Sequence, residues 1–312
     1  MHWCTDECYK TTCTDKKTTI FLIFVALVIV GLLSFSIYLV TKPIKCEVDE
    51  IPEAANRMFK RFYKKVPRCR ETSILLYPQV VAIVENDTEV HVCTGVIISK
   101  KWVLSVAHCL VLCADHSCNN LVIRAGSSHS NRGGEEYAII HVEIHPQFNS
   151  ITLKYDIGLL KVKNFNLNVR SIEIAKISSV PVRPHMHANI LGWAPYNKVD
   201  VIYRDNSLKR INLTIESHII CQYRLKGGYN KFTLTHRMLC GTYPTRGGGC
   251  YTDAGGPLII KGVVGGLAMF GQICYSCDYH MSVLIDVYYF RDFIKKFTKL
   301  KEINIDRIKI VH

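Results

Sequence analysis

The 312-residue sequence has no internal repeat and no low-complexity segment, so neither a repeat array nor a biased disordered tract organises it. Charged residues are scarce, at 21% against 48% hydrophobic, which excludes a mostly disordered chain. The glycine run Gly247-Gly248-Gly249 has no Gly-Lys-Ser/Thr behind it, so it reads as a loop and not as a phosphate cradle. His129, His141, His145, His185 and His187 lack Cys- or Asp-linked metal spacing, and His185-Met186-His187 reads as a solvated loop. No metal and no cofactor is expected. Negative charge is also short: 26 Asp and Glu face 39 Lys and Arg, a net charge of +13. Residues 1–19 are balanced and residues 20–40 carry no charge, so the whole excess lies beyond Val40. A basic exterior favours anionic partners such as sulfated glycans, lipid headgroups or acidic proteins. No nucleic-acid partner is expected.

The uncharged run "IFLIFVALVIVGLLSFSIYLV", residues 20–40, is long enough to cross a bilayer of about 30 Å at 1.5 Å per residue. A cleaved signal peptide would have a shorter apolar core and a small-x-small site, which "YLVTKPIKC" lacks. The reading is a signal anchor. Lys16 and Lys17 balance Lys42 and Lys45, so flanking charge leaves the orientation open. Cysteine decides it, because eleven of the 14 lie after the span and disulfides persist outside the cytosol. Residues 1–19 are then cytosolic, with Cys4, Cys8 and Cys13 as thiols, and the C-terminal part is extracellular at the plasma membrane. The sequons at Asn86 and Asn212 agree with that side as glycosylation positions.

Residues 41–72 read as a stem with Pro43, Pro52 and Pro67 and a basic cluster. Within it Met58, Phe59, Phe62, Tyr63 and Val66 recur at helical spacing, which leaves a short amphipathic helix and a solvated tether both open. From Ser73 the pattern changes to short Val- and Ile-rich runs broken by Gly, Asn, Pro or Ser, the mark of a sandwich or barrel. Only "DVYYFRDFIKKFTKL" has helical spacing, with Val287, Phe290, Ile294 and Phe297 on one face. Residues 301–312 form a basic tail with no assigned role.

Three segments then stand in order. "CTGVIISKKWVLSVAHC", residues 93–109, ends on a histidine between Ala107 and Cys109. "YDIGLLKV" opens with Asp156 ahead of an apolar strand, and "GGGCYTDAGGPLII", residues 247–260, reads as a nucleophile loop. His, then Asp, then the nucleophile is a chain order known from serine proteases. With "LYPQVVAIV", "VIRAGSSHSNRGGEEYAIIHVEIHPQF", "ILGW" and "MLCGT" at matching places, residues 73–300 resemble the trypsin/chymotrypsin-like serine proteases. The resemblance implies an all-β domain of two six-stranded antiparallel barrels with a cleft between them and a C-terminal helix, preceded here by one transmembrane helix.

By that resemblance His108 takes the general-base position, Asp156 the position that orients it, and Ala254 the nucleophile position. Thr252 stands at an oxyanion-hole glycine, Gly248 at the floor of the specificity pocket, and Gly265 and Gly266 where a serine and a cleft tryptophan are expected. The expectation is therefore an inactive homologue, not an enzyme, which binds a protein or peptide in the cleft as a scaffold or as a decoy for a protease inhibitor or an active protease. Two alternatives stand beside it: an endopeptidase with a displaced nucleophile, for which Ser282 is the candidate, and a basic surface adhesion module. Counting back from Gln79 puts an activation start at Val66 after Lys65, where Pro67 should hinder cleavage and leave Asp253 to find another partner. The implied disulfides are Cys93–Cys109, Cys221–Cys240 and Cys250 with Cys274 or Cys277. Cys113 and Cys118 form a local pair by spacing, and Cys46 and Cys69 remain in the stem.

Overall fold

The computed structural model describes residues 70–111, 113, 118–193, 206–226, 233–243, 253–275 and 279–308. The expected signal anchor, residues 20–40, and the stem up to residue 69 lie outside the described residues. Among the described residues no helix is long and apolar enough to cross a membrane.

The first half is one antiparallel sheet. After a two-residue strand β1 (Arg70–Glu71), its strands in chain order are β2 (Val80–Glu85), β3 (His91–Ile97), β4 (Trp102–Ser105), β5 (Leu121–Ala125), β6 (Glu135–Ala138), β7 (His141–Ile144) and β8 (Gly158–Lys161). The spatial order is β6-β5-β2-β3-β4-β8-β7. Edge strands β6 and β7 are consecutive in the chain and separated only by Ile139 and Ile140, so the sheet must curl until its edges approach. Central strand β2 is Val-Val-Ala-Ile-Val-Glu, buried on both faces except at the final glutamate. β-branched side chains of this kind suit a pleated, enclosed strand.

The second half contains β9 (Ile177–Ser178), β10 (His187–Gly192), β11 (Lys209–Ile215), β12 (Met238–Thr242), β13 (Pro257–Ile260), β14 (Val263–Tyr275), β15 (Tyr279–Asp286) and β16 (Glu302–Ile303). The path β13-β10-β11-β12-β15-β14 closes on itself because β13 also pairs with β14, which makes a six-stranded barrel. The two equal barrels expected from the sequence are thus corrected to a six-stranded barrel and a half-barrel. Closure of the first half is left to a two-residue link in place of a hydrogen-bonded ladder.

Among the described residues three short helices complete the domain: α1 (Ala107–Leu110), α2 (His218–Lys226) and α3 (Arg291–Lys295). The C-terminal helix is shorter than its periodicity implied. Asp286 caps a 3-10 turn over Val287–Phe290 through the Tyr288 amide, and α3 follows it. Val287, Phe290 and Ile294 are buried, as the spacing required. Within the expected tail, β16 pairs in parallel with β9. Among the described residues three disulfides are present, Cys93–Cys109, Cys113–Cys118 and Cys221–Cys240. Cys46, Cys69, Cys250 and Cys277 lie outside the described residues, and the pairing of Cys274 is therefore left open.

Candidate active site

His108 sits on α1, the single turn that follows β4 and is tied to β3 by Cys93–Cys109. Its partner Asp156 lies two residues before β8, the neighbour of β4 in the sheet. The Asp156 side chain is fully buried, whereas that of His108 is 29% exposed. One carboxylate oxygen accepts the His108 backbone N–H at 2.7 Å, and the other meets the ring Nδ1 at 2.6 Å. With both oxygens on one residue, backbone and ring are fixed together. A ring that donates from Nδ1 to a carboxylate keeps the Nε2 lone pair as its base. A buried carboxylate without such donors would be costly, by about 1–3 kcal/mol or more.

Ala254 is tied to β3, the strand that carries Cys93, across the seam between the halves. Its carbonyl accepts the Thr94 N–H at 2.9 Å, and the Thr94 carbonyl accepts the Ser105 hydroxyl at 2.8 Å. Thr94 follows Cys93, whose disulfide leads to Cys109, the neighbour of His108. Gly255 turns the chain with φ +79°, and a Cβ there would overlap the Thr94 carbonyl and the Ser105 hydroxyl. Only glycine adopts that conformation at that approach without strain. The Gly255 N–H is bonded to the Ala268 carbonyl of β14 at 2.8 Å.

That register moves one assignment. The β14 residue that meets the nucleophile loop is Ala268. Gly265 and Gly266 are buried earlier in the strand, where added Cβ atoms would meet Val182 and the Ile285 carbonyl. They are packing glycines of the barrel and not a vacated cleft wall. Thr252, Gly248 and Cys250 lie outside the described residues, as does the expected activation start at Val66. Ser282 is buried in β15 and shares a short hydrogen bond with the Tyr243 hydroxyl. Asn86 and Asn212, the sequon asparagines, are both exposed.

The partner of Asp253, left open by the sequence, is a cluster of three groups. Its Oδ2 accepts the Thr94 hydroxyl at 2.8 Å and the Trp193 backbone N–H, and lies 3.5 Å from the His91 Nε2. His91 and Thr94 both stand on β3, flanking Cys93. Gly192 makes room for the carboxylate, since a Cβ there would overlap it. Sequence reasoning missed these residues. The available signal was the run His91-Val92-Cys93-Thr94 immediately ahead of the strand that leads to His108.

A family model described as Trypsin matches residues 69–294. Among curated proteins the chain is 28% identical over 215 residues to a trypsin of Simulium vittatum, covering 67% of this chain and 83% of that protein. It is 30% identical over 210 residues to Chymotrypsin-2 of Vespa crabro, covering 66% of this chain and 88% of that protein. It is 29% identical over 209 residues to Trypsin iota of Drosophila melanogaster, covering 66% and 78%. The expectation that the chain is not an enzyme is corrected by these matches. Its relatives are named as trypsins and a chymotrypsin, and the base pair of such a site is intact here.

Proposed function

The chain belongs to the trypsin family, and on that premise we propose that it is an endopeptidase that takes an extended peptide between its two halves and works from the His108–Asp156 base. The observation that carries this reading is the doubly bonded, buried Asp156, which holds the half-exposed imidazole in the tautomer a general base requires. Residue 254 is an alanine, and a methyl group cannot attack a carbonyl. The attacking hydroxyl therefore comes from elsewhere, either a second side chain or a water deprotonated directly by His108 Nε2. With water, the new C–O bond forms as the proton moves to Nε2. The tetrahedral intermediate then breaks its C–N bond, and the leaving amine takes that proton from the imidazolium, giving a carboxylic acid and an amine. Asp156 stabilises the transient cation. The buried position of Ser282 on β15, with its hydroxyl engaged by Tyr243, favours water over that side chain.

The same cleft serves for protein and peptide partners, including the exposed loop of a protease inhibitor or an active protease. The wider setting is proposed as well: anchorage by residues 20–40, with the domain on the extracellular side and glycans at Asn86 and Asn212. Three disulfides and two exposed sequons support that side.

The test uses the full-length chain in detergent, an internally quenched peptide library and a serine-directed fluorophosphonate probe. Cleavage that disappears in His108→Ala, without probe labelling, is the expected result. Labelling that requires His108 would transfer the attack from water to a side chain. Peptide binding with no cleavage above the His108→Ala background would overturn the catalytic step.

A further inference from the structure

The turn between β3 and β4 carries Lys100 and Lys101, and the segment after α3 brings Lys299 and Lys301 to the same place. With Asn164 and Trp102, they line an open groove of about 400 Å³. All four lysines are exposed, and none has a carboxylate within ion-pair distance among the described residues. Glu302, the acidic neighbour of Lys301, is already held by Arg291 at 3.0 Å and Lys295 at 2.9 Å. A fifth ammonium, that of Lys161, stands 5.4 Å over the ring of Trp102, one of the lining residues. Like charges gathered in a concavity raise the local positive potential, and a bound anion relieves the repulsion.

We propose that this groove is a binding site for a sulfated polysaccharide. Three observations select that class. The groove is concave and bears neutral hydrogen-bonding groups, the Asn164 amide and the Thr298 hydroxyl, between its cations, which suits sugar hydroxyls set between sulfates. Among the described residues none of the exposed large hydrophobic residues lines it, and its apolar lining, Ile98, Trp102, Ile174 and Phe297, is buried or half-buried and presents little to a bilayer. Its backbone offers no edge to an acidic peptide, because the Lys100 and Lys101 carbonyls accept Phe165 and Val162 N–H groups at 2.8 Å each. The site is separate from the peptide cleft: β4 begins next to Lys101, and His108 lies beyond its other end. The proposal therefore stands independently of the peptidase reading.

The experiment measures binding of the full-length chain, in neutral detergent at about 0.15 M salt, to immobilised heparin. Four lysines of the groove are changed together, Lys100→Ala, Lys101→Ala, Lys299→Ala and Lys301→Ala. The control removes four exposed charges elsewhere, Arg132→Ala, Lys154→Ala, Arg170→Ala and Arg307→Ala, so both variants keep the same net charge. The groove variant should lose affinity roughly tenfold or more, with a shallower salt dependence, while the control changes less than about threefold. A second variant, Asn164→Asp, places one negative charge in the groove and should weaken binding without removing any lysine. Equal losses in the groove variant and the control would overturn the proposal in favour of undirected surface charge. So would an absence of heparin binding by the parent. Retention of vesicles of phosphatidylserine and phosphatidylcholine that depends on the four lysines, with no heparin binding, would overturn it in favour of a membrane contact.

Discussion

Each half of the domain sets one buried aspartate beside the site, and the two are used in opposite ways. Asp156, in the first half, spends both oxygens on His108 and so builds a complete base within one sheet. Asp253, in the second half, gathers donors from both sides of the seam, with Thr94 from β3 and the Trp193 amide just past β10 on the same oxygen. The first aspartate organises a ring, whereas the second organises an interface. Chemistry and cohesion are thereby divided between two carboxylates, and substitutions should separate them.

The largest effects should fall on the ring. Asp156→Asn keeps the volume but offers an amide N–H₂ where the ring N–H needs an acceptor, so peptide hydrolysis should fall by about two to four orders of magnitude, the usual contribution of a positioned general base. Steady-state cleavage with a fixed substrate checks this. A rate within tenfold of the parent would mean that the pair is not the base. In the other direction, Ala254→Ser supplies a hydroxyl at the nucleophile position and should raise kcat by roughly two orders of magnitude or more. An unchanged rate would show that the second half, and not the missing hydroxyl, limits catalysis.

The seam should answer in stability. Cys93–Cys109 and Cys221–Cys240 close loops of similar size, with separations of 16 and 19 residues. Loop-closure arguments give each about 3 kcal/mol, so paired Cys→Ala variants should lose similar stability in urea unfolding. Only the first pair adjoins both His108 and Thr94, so only its removal should also lower the hydrolysis rate. Equal effects on rate would erase the distinction between the halves. Thr94→Val is milder. It removes the hydroxyl donor from buried Asp253 and should cost about 1–3 kcal/mol. His91→Ala should cost less, because His91 stands off at 3.5 Å.

Legibility in the sequence followed the same division. The half that builds the base was readable because its signals are local: Ala107-His108-Cys109 on one turn, Asp156 heading an apolar strand, and cysteines placed to pair. The barrel of the second half was readable as strands, but not its closure or its register. The bulged pairing of β13 with β14 is set by Pro257 opposite Leu267 and Leu258 opposite Gly266, contacts that no one-dimensional period encodes. Gly265 and Gly266 were therefore placed on the cleft when they belong to the barrel packing. The cluster around Asp253 was out of reach for a similar reason, since Thr94 and Asp253 are 159 residues apart. The inference of inactivity came from Ala254 together with Thr252, Gly248, Gly265 and Gly266, and the matches to proteins named as trypsins corrected it.

A third buried aspartate sharpens the comparison at the smallest scale. Asp286 ends β15, accepts the Val182 and Tyr288 amides at 3.0 Å each, and has no role in the proposed chemistry. Burial pushes its carboxyl from 3.8 up to about 7, against the opposing pull of those two amides and of Arg291. The folded protein then keeps this proton up to about pH 7, whereas the unfolded chain releases it near 3.8. Across that window the folded state binds more protons, so this group's contribution is full at the acid end and is lost as pH rises towards 7. The slope is at most about 1.4 kcal/mol per pH unit. Asp286→Asn cannot titrate, so the stability difference between parent and variant should shrink from pH 4.5 to pH 7 and level off above it, as followed by urea unfolding. A difference that stayed flat from pH 4.5 to pH 7 would mean that Asp286 is ionised in the fold. It would then act as a charged cap for the turn ahead of α3, and burial would not be the dominant influence on it.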